Sequence, residues 1–286
     1  GLRAARELLD HVEQMSGAKL ELSEIGADDG AKFVQQARKQ KRTPVLIGRV
    51  AQPRLRQALE KKGGGRGTFA LQAADGAVYV AGVDEGPAYG VAELLEQQGV
   101  RWFMPGPLGT VVPAKKSIAV AKQLTVQSPS FPSRWFQMPN KEWQARVRCG
   151  GPVFPGAHGL KGPDFKTQPE LFALVDGVRS PRQHCLANPQ LLEVVVAEIK
   201  KQRAHGRGPV IGLGPNDGSG FCECDDCRKL DGGDFDPFSF EPSVTDRYIW
   251  FFNRVLERFE NDYPDTKLAF YIYHTYMRPP VRWKPN

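Results

Sequence analysis

Apolar residues in the first part of the chain follow two spacings, one typical of helices and one typical of strands. Helical spacing predicts four helices, at residues 2–15, 30–40, from Pro53 onward, and 86–98. Polar-apolar alternation or short apolar runs predict strands at residues 19–22, 43–48, 68–73 and 77–81. The turn Asp75-Gly76 joins the last two strands and predicts a hairpin. Residues 1–122 are therefore predicted to form a small α/β domain.

The pattern changes after residue 122, where we place a domain boundary. Lysines and a proline- and serine-rich segment interrupt helical spacing across residues 114–132. Beyond them the pattern predicts strands and helices in the order 134–138 (strand), 171–175 (strand), 189–203 (helix), 210–213 (strand), 245–261 (helix) and 267–273 (strand). Such an order is typical of the parallel βα units of a (β/α)8 TIM-barrel-like domain. Because a complete barrel needs about 250 residues, residues 123–286 are expected to cover only part of one.

Charge and composition exclude several classes of partner. The 286 residues carry a formal charge of +7, but basic residues are scattered among acidic ones, which argues against nucleic acid. No apolar run is long enough to span a bilayer, and the first residues lack the apolar core of a signal peptide. Gly212-Leu213-Gly214 begins like a dinucleotide fingerprint, yet Asp217 stands where the third glycine is required. No organic cofactor is predicted, and the oligomeric state is left open.

The cysteines indicate a metal site. Cys222, Cys224 and Cys227 lie within six positions, and three thiolates so spaced can bind a tetrahedral zinc ion if a fourth ligand comes from elsewhere. Cys185 is the favoured fourth ligand, with Cys149 and His184 as alternatives to it. Such a site would be closed and structural. A Cys222–Cys227 disulfide or reduced free thiols are the competing interpretations.

Five strings of residues resemble a bacterial family, that of the domain of unknown function 4838, with an N-terminal domain similar to that of family 67 α-glucuronidases. The strings are YGVAELLE at 89–96, GVRWFMPG at 99–106, PELFALVDG at 169–177, CLANP at 185–189, and ND at 216–217 followed by GFCECDDC at 220–227. They span nearly the whole chain. The resemblance implies an exported, periplasmic or extracellular, glycoside-hydrolase-like protein that acts on complex polysaccharide or uronic-acid-containing glycans. Its sugar site would lie at the carboxyl ends of barrel strands.

Asp217 is the candidate catalytic residue. It follows an apolar strand inside a glycine-rich loop, where barrel enzymes place catalytic groups, and as a general acid it would need a raised pKa. In the resembled enzymes a glutamate occupies the comparable position, and the paired carboxylates lie on later strands than this chain contains. An ordinary Asn-Asp-Gly turn is the competing interpretation.

Further strand-end residues are candidate sugar contacts, because aromatic rings stack on sugars and polar groups bind their hydroxyls. These are Arg134, Trp135, His158, Asn216, Tyr273 and His274. A single histidine is more often structural.

Two functions are alternatives to the hydrolase. One is a noncatalytic carbohydrate-binding protein, and the other is a zinc-stabilised interaction protein.

Overall fold

The computed structural model describes residues 1–26, 28–48, 53–135, 140–156 and 158–286. These form two compact units, Gly1–Val153 and Phe154–Asn286. Residues 123–153 belong to the first unit because a strand at Thr125–Gln127 pairs with the sheet of that unit. The predicted domains, 1–122 and 123–286, divide the chain differently from these two compact units, and that division stays a prediction.

The first unit is a mixed α/β structure. Its helices are α1 (Leu2–Ser16), α2 (Gly30–Lys39), α3 (Pro53–Lys61), α4 (Gly86–Gln97) and α5 (Lys141–Arg146). Its strands are β1 (Val45–Ile47), β2 (Phe69–Ala74), β3 (Ala77–Gly82), β4 (Arg101–Trp102), β5 (Thr110–Val111) and β6 (Thr125–Gln127). Four of the strands form a sheet in the order β1-β3-β2-β6, in which only the β1–β3 pair is parallel.

Both faces of this sheet are buried, since successive residues of a strand point to opposite sides. Val78 and Val80 pack in one core with α1 and α4, whereas Tyr79 and Ala81 pack in another with Val34 and Leu55 of α2 and α3. The predicted hairpin is confirmed, and both of its turn residues, Asp75 and Gly76, have positive φ. Helices on both faces of a central sheet make this unit the α/β domain that the sequence predicts.

One predicted strand of the first unit is wrong. Residues 19–22 form no strand, and Leu20 and Leu22 remain exposed. Alternation supplies one apolar face, but a strand also needs a neighbour for its backbone hydrogen bonds, and within the described ranges this segment pairs with no other strand. Of the strand predicted at 134–138, Arg134 makes an isolated bridge to Gly150, and residues 136–139 lie outside the described residues.

The second unit is also mixed α/β. Its helices are α6 (Pro189–Ala204), α7 (Asp225–Arg228) and α8 (Thr245–Glu257), and its strands are β7 (Phe172–Val175), β8 (Val178–His184), β9 (Val210–Gly212) and β10 (Lys267–Ala269). The apolar stripe of α8, including Tyr248, Phe251 and Val255, packs in one core with Leu191 and Val195 of α6. The side chain of Asn188 caps α6 by accepting a hydrogen bond from the Gln190 amide.

Two short sheets complete the second unit. β9 and β10 are parallel neighbours, as barrel strands are, whereas β7 and β8 form an antiparallel hairpin that the sequence analysis missed. The described strands of this unit do not close into a barrel. Among the described residues, none of the helices combines the length and the apolar character needed to cross a membrane.

Candidate functional site

Four cysteines of the second unit come together, and we call them the cysteine cluster: Cys185, Cys222, Cys224 and Cys227. Cys185 directly follows β8, Cys222 and Cys224 lie in the loop after β9, and Cys227 lies on the short helix α7. All of them except the half-buried Cys224 are buried. The cluster therefore consists of the four cysteines that the sequence predicts as metal ligands.

The spacing of the four sulfur atoms fits a tetrahedral metal ion. All lie within 4.8 Å of one another, and the Cys222–Cys224, Cys185–Cys224 and Cys185–Cys227 Sγ separations are 3.5, 3.7 and 3.9 Å. A zinc ion with Zn–S bonds of about 2.3 Å sets its four sulfurs about 3.8 Å apart. A disulfide would need about 2.0 Å, and all five cysteines are free thiols. The four residues can thus hold a metal ion, and the Cys222–Cys227 disulfide, the competing interpretation, is not present in this structure.

Backbone amides support the thiolate form of the cluster. The amide of Leu174 donates to Cys222 Sγ at 3.3 Å, and that of Ala187 donates to Cys227 Sγ at 3.5 Å. Hydrogen bonding among the three buried thiols lowers the pKa of Cys222, with Cys185 as the main cause and Cys227 contributing, and it raises the pKa of both Cys185 and Cys227. A metal ion binds the thiolate rather than the thiol, so these contacts favour the ligand form of Cys222.

A buried ion pair attaches α8 to the cysteine cluster. The Arg247 side chain is only 5% exposed, and its Nε donates to Asp231 Oδ1 at 2.6 Å. Its Nη1 donates to the carbonyl of Cys222 at 2.7 Å. Asp231 follows α7 closely, so Arg247 connects α8 to both sides of the cysteine loop.

The two alternatives for the fourth ligand lie outside the cluster. Cys149 belongs to the first unit, where its carbonyl accepts a hydrogen bond from Tyr89. His184 is buried, and its ring packs against that of Phe172 at 4.8 Å. Burial lowers the pKa of His184 to about 4, so this side chain is neutral at ordinary pH.

A second group of residues lies at the carboxyl ends of β9 and β10, and we call it the strand-end cluster: His158, Asp217, Tyr271, Tyr273 and His274. Because β9 and β10 are parallel, the segments that follow them leave the sheet at the same edge. The hydroxyl of Tyr273 donates to Asp217 Oδ1, and the amide of Gly159 donates to the Pro215 carbonyl at 2.9 Å. The latter bond brings His158 to the loop that carries Asp217.

The rings of this cluster form a polar aromatic surface. The ring centroid of His158 lies 5.0 Å from that of Tyr271 and 6.0 Å from that of Tyr273. Tyr271 is 45% exposed, while Tyr276 is buried and packs behind Tyr273 at 5.1 Å. Sequence reasoning missed Tyr271, although its spacing of two from Tyr273 in an extended segment places both on one side.

The surroundings of Asp217 favour its ionised form. The hydrogen bond from Tyr273 is the main cause that holds the pKa of Asp217 below its ordinary value, and His158, the Gly218 amide and His274 act in the same direction. Asp217 is also exposed. A general acid needs the opposite, a carboxyl group that stays protonated near neutral pH.

Replacing Tyr273 by phenylalanine is expected to raise the pKa of Asp217 toward that of a free aspartate, because the donor that stabilises the carboxylate is removed. The stability that this carboxylate contributes is present above the unfolded-state pKa and is lost as pH falls through the folded-state pKa. Carbon-detected NMR titration of the Asp217 carboxyl would measure the change. Tyr263→Phe, which alters a tyrosine packed against Arg203, should leave that titration unchanged; an equal shift in both variants would contradict the assignment.

Two predicted sugar contacts belong to the first unit. The guanidinium of Arg134 donates to the carbonyls of Phe131 and Arg148 at 2.7 and 3.0 Å and lies over the ring of Tyr89. These bonds give Arg134 a structural role in its own unit. Trp135 is half exposed in the same unit. The predicted contact roles of both residues stay predictions.

Comparison with known proteins gives one family. A family model matches residues 104–286, more than half of the chain, and its description is a domain of unknown function, DUF4838. The match includes the whole second unit, with the cysteine cluster and the strand-end cluster. No curated protein matches the chain.

Proposed function

The chain belongs to the DUF4838 family, and on that premise we propose that its strand-end cluster is the sugar-binding site of a glycoside-hydrolase-like protein. The glycans that we propose as substrates are complex polysaccharides, including those that contain uronic acids. We also propose export of the protein to the periplasm or beyond it. The substrate class and the localisation rest on the resemblance to the family as a whole.

One observation carries this proposal: the exposed ring of Tyr271 lies against His158, and His158 also lies against Tyr273, whose hydroxyl donates to the Asp217 carboxylate at a strand end. The ring of Tyr271 can stack on the apolar face of a sugar, while Asp217 and His158 can bind the hydroxyls around its edge. Ligand sites of parallel α/β structures lie at the carboxyl ends of their strands. The parallel β9–β10 pair also supports a TIM-barrel-like domain as the setting of this site.

The ionised state of Asp217 argues against its role as a general acid and leaves two versions of the proposal. As an ionised group, Asp217 fits the role of a hydrogen-bond acceptor for sugar hydroxyls, or of the carboxylate partner in glycosyl transfer. The lowered pKa of Asp217 is the specific observation that favours the second candidate function, a noncatalytic carbohydrate-binding protein. Turnover of bound glycan would distinguish the hydrolase from the binding protein.

We further propose that the cysteine cluster binds one structural zinc ion. Cys185, Cys222, Cys224 and Cys227 would be its ligands, and the sulfur separations and amide donors described above support this assignment. Four protein ligands leave no position for water, so the ion would cross-link the loop after β9 to the end of β8. A zinc-stabilised interaction protein is the function that would remain if this ion is present and no glycan binds.

Asp217→Asn and Tyr271→Ala are each expected to weaken glycan binding by roughly tenfold or more, since they remove a charged acceptor and a stacking surface. Isothermal titration with 4-nitrophenyl glucoside and 4-nitrophenyl glucuronide would measure the affinities. Asp262→Asn and Phe238→Ala are matched controls, an exposed aspartate paired with Lys200 and an exposed aromatic outside the cluster.

The controls should bind the probes like the unaltered chain. If all four variants bind equally well, the glycans do not occupy the strand-end cluster. If the unaltered chain binds neither probe, the proposed substrate classes are wrong for this site.

A further inference from the structure

Gln183 is a buried polar residue that the sequence analysis did not single out. It lies near the end of β8, and it is 0% exposed. A buried carboxamide is costly unless its donors and its acceptor are satisfied. The partners of Gln183 therefore show what the residue holds in place.

The carboxamide of Gln183 pairs with the backbone of Asn216 in both directions. Gln183 Nε2 donates to the Asn216 carbonyl at 2.8 Å, and the Asn216 amide donates to Gln183 Oε1 at 3.0 Å. Nε2 also lies 3.5 Å from the carbonyl of Gly218. Its hydrogen bonds thus go to the two residues that flank Asp217.

The loop around Asp217 needs such support because it is not part of a sheet. Gly218 and Gly220 both have positive φ, a conformation that leaves the backbone without regular ladder bonds. The side chain of Asn216 adds one bond of its own, to the carbonyl of Arg182 at 2.5 Å. All of these hydrogen bonds attach the loop to β8, and the side-chain hydrogen bonds described for Gln183 go to this loop.

We infer that Gln183 is a positioning residue, which fixes the backbone on both sides of Asp217 and so holds its carboxylate against Tyr273 and the sugar-binding surface. The inference rests on the proposed function for the role of Asp217. Its geometric part, that Gln183 sets the Asp217–Tyr273 contact, can be measured without a glycan.

Gln183→Met keeps the side-chain volume and removes every hydrogen bond of the carboxamide. We expect the pKa of Asp217, followed by carbon-detected NMR, to rise toward its ordinary value as the Tyr273 contact loosens. The affinity for 4-nitrophenyl glucoside or 4-nitrophenyl glucuronide should fall roughly tenfold. His158 and His274, which also lower the pKa of Asp217, are unchanged in this variant.

Gln98→Met is the matched control, because Gln98 is also buried and donates to a backbone carbonyl, that of Ala119, but lies in the first unit. Both variants should lose thermal stability, and only Gln183→Met should shift the pKa of Asp217. If Gln183→Met does not fold, Gln183→Asn retracts the carboxamide by one methylene, and the same shift is expected.

An unchanged Asp217 pKa together with unchanged affinity, in a folded variant that is merely less stable, would overturn the inference. If the unaltered chain binds neither probe, the proposed function fails, and the pKa comparison alone still decides the role of Gln183.

Discussion

Cys227→Ser is expected to abolish stoichiometric zinc binding and to unfold the loop that carries the cysteine cluster. Cys227 is fully buried, and its sulfur lies 3.9 Å from that of Cys185. Binding of a structural zinc ion contributes directly to folding, because the unfolded chain has no preformed site. We expect the second unit to lose several kcal/mol of stability, on the order of 3 or more.

Zinc per chain, measured by mass spectrometry of the purified protein, and thermal unfolding with and without a chelator would test this expectation. The unaltered chain should contain one zinc ion and should lose stability on chelation. Cys149→Ser is the matched control, since Cys149 lies in the first unit outside the cluster. An unaltered chain that is free of metal and insensitive to chelator would contradict the zinc proposal.

Arg247→Met is expected to destabilise the second unit by about 3–5 kcal/mol. The substitution leaves Asp231, whose side chain is only 12% exposed, as an uncompensated buried charge. It also removes the donor to the Cys222 carbonyl. Urea unfolding, followed by the fluorescence of the tryptophans, would give the free energy of unfolding.

Arg258→Met provides the comparison for that measurement. Arg258 pairs with Glu193, but both side chains are about half exposed, so solvent screens the pair and its loss should cost no more than about 1 kcal/mol. Similar losses for Arg247→Met and Arg258→Met would mean that the buried pair does not hold the cysteine loop.

The helices were predictable from the sequence because their apolar spacing agrees with their burial. The predicted helix at 189–203 corresponds to α6, and the one at 245–261 includes α8. Strand prediction was less successful, because pairing decides it. Residues 19–22 alternate but pair with no strand among the described residues, whereas β8 pairs with β7 despite containing Pro181 and five polar or charged residues.

The candidate site was partly predictable, because some of its residues lie close together in the sequence and others do not. Three cysteines within six positions indicate a metal site locally. Cys185 was chosen because adjacent parallel strands of a barrel place their ends side by side, whereas in the structure it follows the antiparallel strand β8. Gln183 could not be found in this way. Nothing in its local sequence indicates that a single glutamine contacts the backbone of Asn216, 33 positions along the chain.

The end of β8 connects the two clusters. Gln183 holds the Asp217 loop, and Cys185, two residues later, belongs to the cysteine cluster. We therefore expect loss of the metal to disturb the strand-end cluster as well.

Mapping of chemical-shift changes by NMR, with 4-nitrophenyl glucoside and 4-nitrophenyl glucuronide added to the unaltered zinc-loaded chain, would show directly whether the strand-end cluster binds sugar. We expect saturable changes concentrated at His158, Asp217, Tyr271 and Tyr273, with the first unit unaffected. Saturable changes confined to other residues, or no change at the strand-end cluster with either glycan, would contradict this expectation.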